Sequence, residues 1–109
     1  MSFSVLTSRP FERKLKQLAK KHLSIASDLE ALEEQLKQNP TLGEPLGKDC
    51  YKIRMAITSK GQGKSGGARI ITCVRVVKNT VYLIDIYDKS EQETVSDRQM
   101  RKAIDELAE

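Results

Sequence analysis

Three segments of this chain alternate apolar and polar residues with a period of two, and the spacers between them are too short to hold a crossover helix. In the first, Tyr51, Ile53, Met55 and Ile57 alternate with Lys52, Arg54 and Ala56. In the second, Ala68 to Val77, Ile70, Val74 and Val76 point one way and Arg69, Ile71, Cys73 and Arg75 the other. The third runs from Thr80 to Tyr87. The first spacer is the glycine-rich loop KGQGKSGGAR (residues 60–69, its last two already in the strand), and the second is Lys78-Asn79, a hairpin signal. Parallel neighbours need a connection of a dozen or more residues, so the spacing predicts an antiparallel meander.

Upstream the period is helical. Phe3 to Leu6 reads as a short edge strand, then Ser8 and Pro10 open a helix in which Phe11, Leu15, Leu18, Ala19 and His22 recur on one side. His22, at the weak end of that stripe, reads as a flanking residue. Ser27 with Glu30 has the capping-box spacing, and Leu29, Leu32 and Leu36 continue a second helix until Asn39-Pro40 stops it. Residues 40–49 (PTLGEPLGKD) read as a Pro/Gly connector. After the strands, Ser96 and Gln99 form another capping-box pattern, opening a helix through Met100, Ile104 and Leu107. The predicted fold is α+β, in the order (β)ααβββα. A length of 109 residues suits one domain and one site.

Helices must cover one face of such a sheet, and the apolar set Ile53, Met55, Ile70, Val74, Val76, Tyr82, Ile84 and Ile86 is the expected core face. With an unbroken pleat the other face gathers Lys52, Arg54, Arg69, Arg75, Asp85 and Tyr87. Charge is concentrated in the same region: residues 50–84 hold seven basic side chains and no acidic one, while residues 85–109 hold four basic against eight acidic. A cationic sheet face is suited to a polyanion, the alternative being a merely solvated surface.

The glycine loop satisfies GxGxxG through Gly61, Gly63 and Gly66, and Gly63-Lys64-Ser65 matches the end of a Walker A motif. Context excludes both readings. Each motif requires a helix straight after the loop to meet the phosphates, whereas here a strand follows, and the Walker glycine expected at position 58 is a threonine. Glycine explains a turn but not Lys60 and Lys64, which suit a loop closing on a nucleic-acid backbone.

Cys50 and Cys73 lack a CxxC spacing, and His22 is the only histidine, so no zinc site is legible. The two read as small buried thiols of a reducing, cytoplasmic compartment. The start MSFSVLTSRPFERK lacks the pattern of a signal peptide, and no apolar run approaches membrane-helix length, so no membrane association is expected.

Together, CYKIRM (50–55), SKGQGKSGGARIIT (59–72) and VYLIDIYDKSEQETVS (81–96), followed by a closing helix, resemble the RelE/ParE superfamily of type II toxin-antitoxin toxins, most closely its HigB-like branch. The resemblance implies a RelE-like fold and a ribosome-dependent mRNA endonuclease. In such an enzyme the ribose 2′-hydroxyl attacks the adjacent phosphodiester without a metal or other cofactor. It places Lys52, Arg54, Arg69 and Lys89 at catalytic positions: Lys52 or Lys89 for proton transfer, and Arg54 and Arg69 for phosphate charge. Lys60, Lys64, Arg75 and Tyr87 are the implied RNA-binding set, Tyr87 by stacking or hydrogen bonding. Implied partners are a cognate antitoxin, the ribosome and its mRNA, with operator DNA reached only through the antitoxin. The superfamily leaves two alternatives: a ParE-like inhibitor of DNA gyrase and a catalytically weak RNA-binding module.

Overall fold

The computed structural model describes residues 2–92 and 94–107. Strand β1 (Ser4–Thr7) leads into helices α1 (Arg9–Lys21) and α2 (Ile25–Gln38). Strands β2 (Glu44–Gly47), β3 (Cys50–Met55), β4 (Ala68–Arg75) and β5 (Thr80–Asp88) follow, and α3 (Asp97–Asp105) closes the chain. The order is that read from the sequence with one strand added. The strands form a single sheet, β1-β5-β4-β3-β2, parallel between β1 and β5 and antiparallel elsewhere. No helix among the described residues is long and apolar enough to cross a membrane.

Local signals explain most boundaries. Ser8 caps α1, its Oγ accepting from the Phe11 N–H at 3.2 Å. Both bonds of the Ser96–Gln99 capping box form at the start of α3. The box expected at Ser27 does not form, because α2 begins earlier: Ser24 is its N-cap, and the Ser24 side chain bonds Asp28 and Ser59 instead. The additional strand, β2, lies in the segment read as a connector. Pro45 and Gly47 obscured it, yet an edge strand tolerates both. It turns into β3 through Lys48 and Asp49, both at positive φ (56° and 61°), as a two-residue hairpin turn requires. Strand β4 stops at Arg75, and a 3-10 turn over Val76–Lys78 replaces the expected tight pair.

The sheet is covered on both faces, not one. On the first face α1 and α2 bury Phe11, Leu18, Ile25, Leu29, Leu32 and Leu36 against Ile53, Met55, Ile57, Ile70, Val74, Val81, Leu83 and Ile86. On the second, α3 packs Met100 over Cys50, Ile71, Cys73, Ile84 and Tyr87. Between β4 and β5 the pleat breaks: Ile71 pairs with Asp85 and Thr72 with Leu83, which leaves Ile84 as a bulged residue on β5. Tyr82 and Ile84, expected under α1 and α2, therefore sit with the second cluster, and Val81 and Leu83 take their places. Val76, also expected in the core, is 70% exposed in the turn after β4.

Candidate nucleic-acid interface

Strand register gathers the polar residues of the second face into rows. Arg54 lies opposite Arg69 across β3 and β4, and Arg69 opposite Tyr87 across β4 and β5. This row ends beside the glycine loop. One step along, Lys52 lies between Glu44 and Ile71, its ammonium 3.4 Å from the Glu44 carboxylate. Because β2 pairs with β3 only as far as Lys52, the remaining rim of β3 faces a groove of about 610 Å³ beneath α2. Leu32 and Met55 form part of its apolar wall, Lys52, Arg54 and Lys64 bring positive charge, and Asp28 and Glu44 bring negative.

Arg69, expected as a phosphate ligand, is 3% exposed, and its guanidinium is occupied by backbone. Nη1 donates to the carbonyls of Lys64 (3.0 Å) and Ala68 (3.2 Å), and Nη2 to that of Ser65 (3.2 Å). It therefore pins the loop that carries Lys64. The loop is fastened at two more points: the Lys89 N–H donates to the Gly67 carbonyl at 3.1 Å, and a Cβ on Gly67 would run into the Met55 carbonyl oxygen. Gly61, with φ of 71°, ends the 3-10 turn Thr58–Lys60 in the left-handed region open to glycine.

Lys60 does not reach outward from this loop. Its ammonium lies 3.0 Å from the buried Asp88 carboxylate, which also meets His22 Nε2 at 3.1 Å and accepts from the Ser90 N–H and hydroxyl at 2.9 and 2.8 Å. Burial alone would raise the Asp88 carboxyl; the Ser90 donors and the Lys60 charge outweigh it and hold the group at about 2. At the groove, burial likewise opposes ionisation of Asp28, but the Thr58 N–H and hydroxyl and the Ser24 hydroxyl donate to it and leave it below the usual carboxylate range.

The other residues of interest separate by position. Arg54 and Lys64 are exposed, and among the described residues neither has an ion-pair partner. Lys89 is exposed just past β5. Tyr87 is 6% exposed within the second cluster, its phenol pushed up by burial while Arg69 pulls it down, so its ring walls the row instead of standing clear for a base to stack on. Arg75 departs furthest from expectation: it lies at the opposite end of β4 from Arg69, its Nη1 2.8 Å from Cys73 Sγ and outside the groove. Asp85, expected on an open charged face, is buried and takes Lys14 at 2.7 Å. Among the described residues no cluster of three or more His, Cys, Asp or Glu side chains assembles.

Sequence reasoning missed Asp28, Glu44 and Asp88. Glu44 was hidden with its strand, and nothing local distinguishes Asp28, whose donors Thr58 and Ser24 come from outside its helix. The partners of Asp88 come from α1 and the glycine loop, a relation no local period encodes.

A family model described as the RelE toxin of the RelE/RelB toxin-antitoxin system matches residues 5–109. Among solved structures, the fold is similar to that of a double arginine-to-alanine mutant of the E. coli toxin RelE in the free state, with a TM-score of 0.67 and 17% identity over 98% of this chain and 99% of that one. The isolated E. coli RelE toxin is similar at a TM-score of 0.62 and 16% identity, over 97% and 99% of the two chains. The RelBE2 toxin-antitoxin complex of Mycobacterium tuberculosis matches at a TM-score of 0.60 and 16% identity, over 81% of this chain and 92% of that one. With nearly its whole length matched by the family model and the same architecture in solved RelE toxins, the chain belongs to the RelE toxin family of toxin-antitoxin systems.

Proposed function

We propose that this protein is a ribosome-dependent mRNA endonuclease of the HigB-like branch, held inactive in the cytoplasm by a cognate antitoxin. The observation that supports this most is the placing of an exposed Arg54, without an ion-pair partner among the described residues, alongside Lys52 and Lys64 in one groove of a RelE-family fold. In the proposed reaction the ribose 2′-hydroxyl attacks the adjacent phosphorus, its proton passing to Lys52 or Lys89. Arg54 meets the charge that develops on the phosphorane oxygens, and the departing 5′ oxygen takes a proton, leaving a 2′,3′-cyclic phosphate. Lys64 holds the flanking backbone. Arg69 contributes by fixing the loop that presents Lys64, and Tyr87 by walling the row.

The antitoxin reading draws on the family and on the related complex from Mycobacterium tuberculosis. A partner able to silence the chain would cover the groove and supply acidic side chains to Arg54 and Lys64, while operator DNA would be met through that partner.

Induction in cells followed by primer extension on a reporter mRNA tests the proposal. Cleavage should appear in translated regions, vanish when translation is blocked, and fall roughly 100-fold in Arg54→Ala. Intact transcripts at full expression would overturn it. Intact transcripts together with inhibited gyrase supercoiling would assign the ParE-like activity instead.

A further inference from the structure

Cys50 and Cys73 lie directly opposite each other on β3 and β4, both free, with relative exposures of 1% and 0%. Next to them the Val74 N–H donates to the Asp49 carbonyl at 2.9 Å, which makes Cys50 and Cys73 a pair exchanging no backbone hydrogen bonds. Such pairs bring their Cα atoms to about 4.5 Å, inside the range a disulfide spans, with both side chains leaving the same face. The Cys50 thiol donates to the Lys48 carbonyl at 3.6 Å, so its proton has a partner outside the pair. A third group completes the cluster: Arg75 Nη1 lies 2.8 Å from Cys73 Sγ.

Packing accounts for two buried thiols in an apolar cluster but not for a guanidinium aimed at one sulfur. A guanidinium favours a thiolate over a thiol, so the arrangement makes the two cysteines unequal. The site is one layer below solvent, since Cys50 follows the exposed turn residues Lys48 and Asp49, and Arg75 is only half-buried.

We propose that Cys50 and Cys73 are a redox-active dithiol that closes to an intrachain disulfide under hydrogen peroxide, with Cys73 attacking and Cys50 resolving. The Cys73 thiolate displaces hydroxide from the peroxide and becomes a sulfenic acid. Cys50 sulfur then attacks that sulfur, the S–S bond forms, and the sulfenic oxygen leaves as water with the Cys50 proton. Two thiols and one peroxide yield one disulfide and two waters, the thiols being oxidised and the peroxide reduced. The neighbouring Cys50 thiol, and then Arg75, hold Cys73 below the usual thiol range, whereas the neighbouring Cys73 sulfur and burial push Cys50 up.

The test treats the reduced, purified full chain with hydrogen peroxide across a pH series and follows intact mass and titratable thiols. The expected product has lost the mass of two hydrogens, shows no free thiol and is restored by dithiothreitol. Cys50→Ser should stop at a sulfenic acid on Cys73 that dimedone traps, and Cys73→Ser should lose the fast reaction. Arg75→Gln should move the rate profile to higher pH and slow oxidation at neutral pH roughly tenfold, while Arg75→Lys keeps the profile. Packing alone would leave that profile unmoved. Two thiols still titratable in the oxidised wild type, disulfides only between chains, or an unshifted profile in folded Arg75→Gln would each overturn the proposal.

Discussion

Two sites on the rim of the sheet handle charge in opposite ways. On the face under α1 and α2, the ionic groups at the rim are turned inward and paired: Asp88 is enclosed by Lys60, His22 and Ser90. The row leading from Tyr87 through Arg69 to Arg54 ends instead at the groove along the β3 edge, with a cation that has no ion-pair partner among the described residues. A cation with a buried partner has little interaction left to offer a ligand, whereas an unpartnered one at a groove gains from any phosphate that reaches it. Lys60 is thereby committed to the fold, while Arg54 remains available to a ligand.

The largest contrast is in stability. Phe11 is fully enclosed by the double-helix layer, so Phe11→Ala should cost about 3–5 kcal/mol in urea unfolding. Met100→Ala, under one nine-residue helix that can settle into the space, should cost about 2 kcal/mol, near the low end for methionine truncation. Equal losses would show that α3 is as firmly integrated as α1 and α2, which would break the comparison.

Second in size is the separation of Arg54 from Arg69, neighbours in one row. Arg54→Ala should remove on the order of 3 kcal/mol of transition-state stabilisation, as cleavage rates report, while unfolding shifts by less than about 0.5 kcal/mol. Arg69→Ala should reduce both quantities, since it releases the carbonyls of Lys64, Ser65 and Ala68 from a buried donor. If Arg69→Ala kills cleavage and leaves stability untouched, Arg69 belongs with the substrate and not with the loop.

Why these two arginines look alike in the sequence is also why the fold was more legible than the site. Periodicity is local, so α1, the three central strands and the capping box of α3 follow from residues a few positions apart. The bulge at Ile84 is different: it depends on how β4 and β5 pair, and it moved Tyr82 and Ile84 to the other face without any glycine or proline to announce it. The same holds for Lys60 and Arg69. Each is a cation beside a glycine loop, and only the folded chain shows that one faces Asp88 and the other its own backbone. Lys52 and Arg54 were legible as a pair because alternation on β3 alone places both on one face.

A third effect, on the order of 2 kcal/mol, separates the faces by pH. The Asp88 carboxyl lies at about 2 in the fold against an ordinary 3.8. A depressed carboxyl contributes stability that is fully present above its unfolded value and is lost as pH falls from about 4 through about 2. Urea unfolding of wild type and Asp88→Asn between pH 7 and pH 2 measures this: the variant starts less stable and should lose less across the acid window. Parallel curves would mean that Asp88 is not the carboxylate through which acid loosens the first face.

The smallest effect isolates the groove field itself. Lys64 is exposed, unpaired among the described residues, and seated on a loop whose shape depends on Arg69 and Gly67 instead of its own side chain. Lys64→Gln should therefore leave unfolding within about 0.5 kcal/mol of wild type. It removes one phosphate contact, so the slope of log affinity for single-stranded RNA against log salt should fall by about 0.7, uniformly across sequences. Lys60→Gln provides the matched control: it is also a loop lysine, but its charge is already taken by Asp88, so it should lower stability and leave the salt slope unchanged. A changed slope in Lys60→Gln with none in Lys64→Gln would reverse the assignment of which loop cation faces inward.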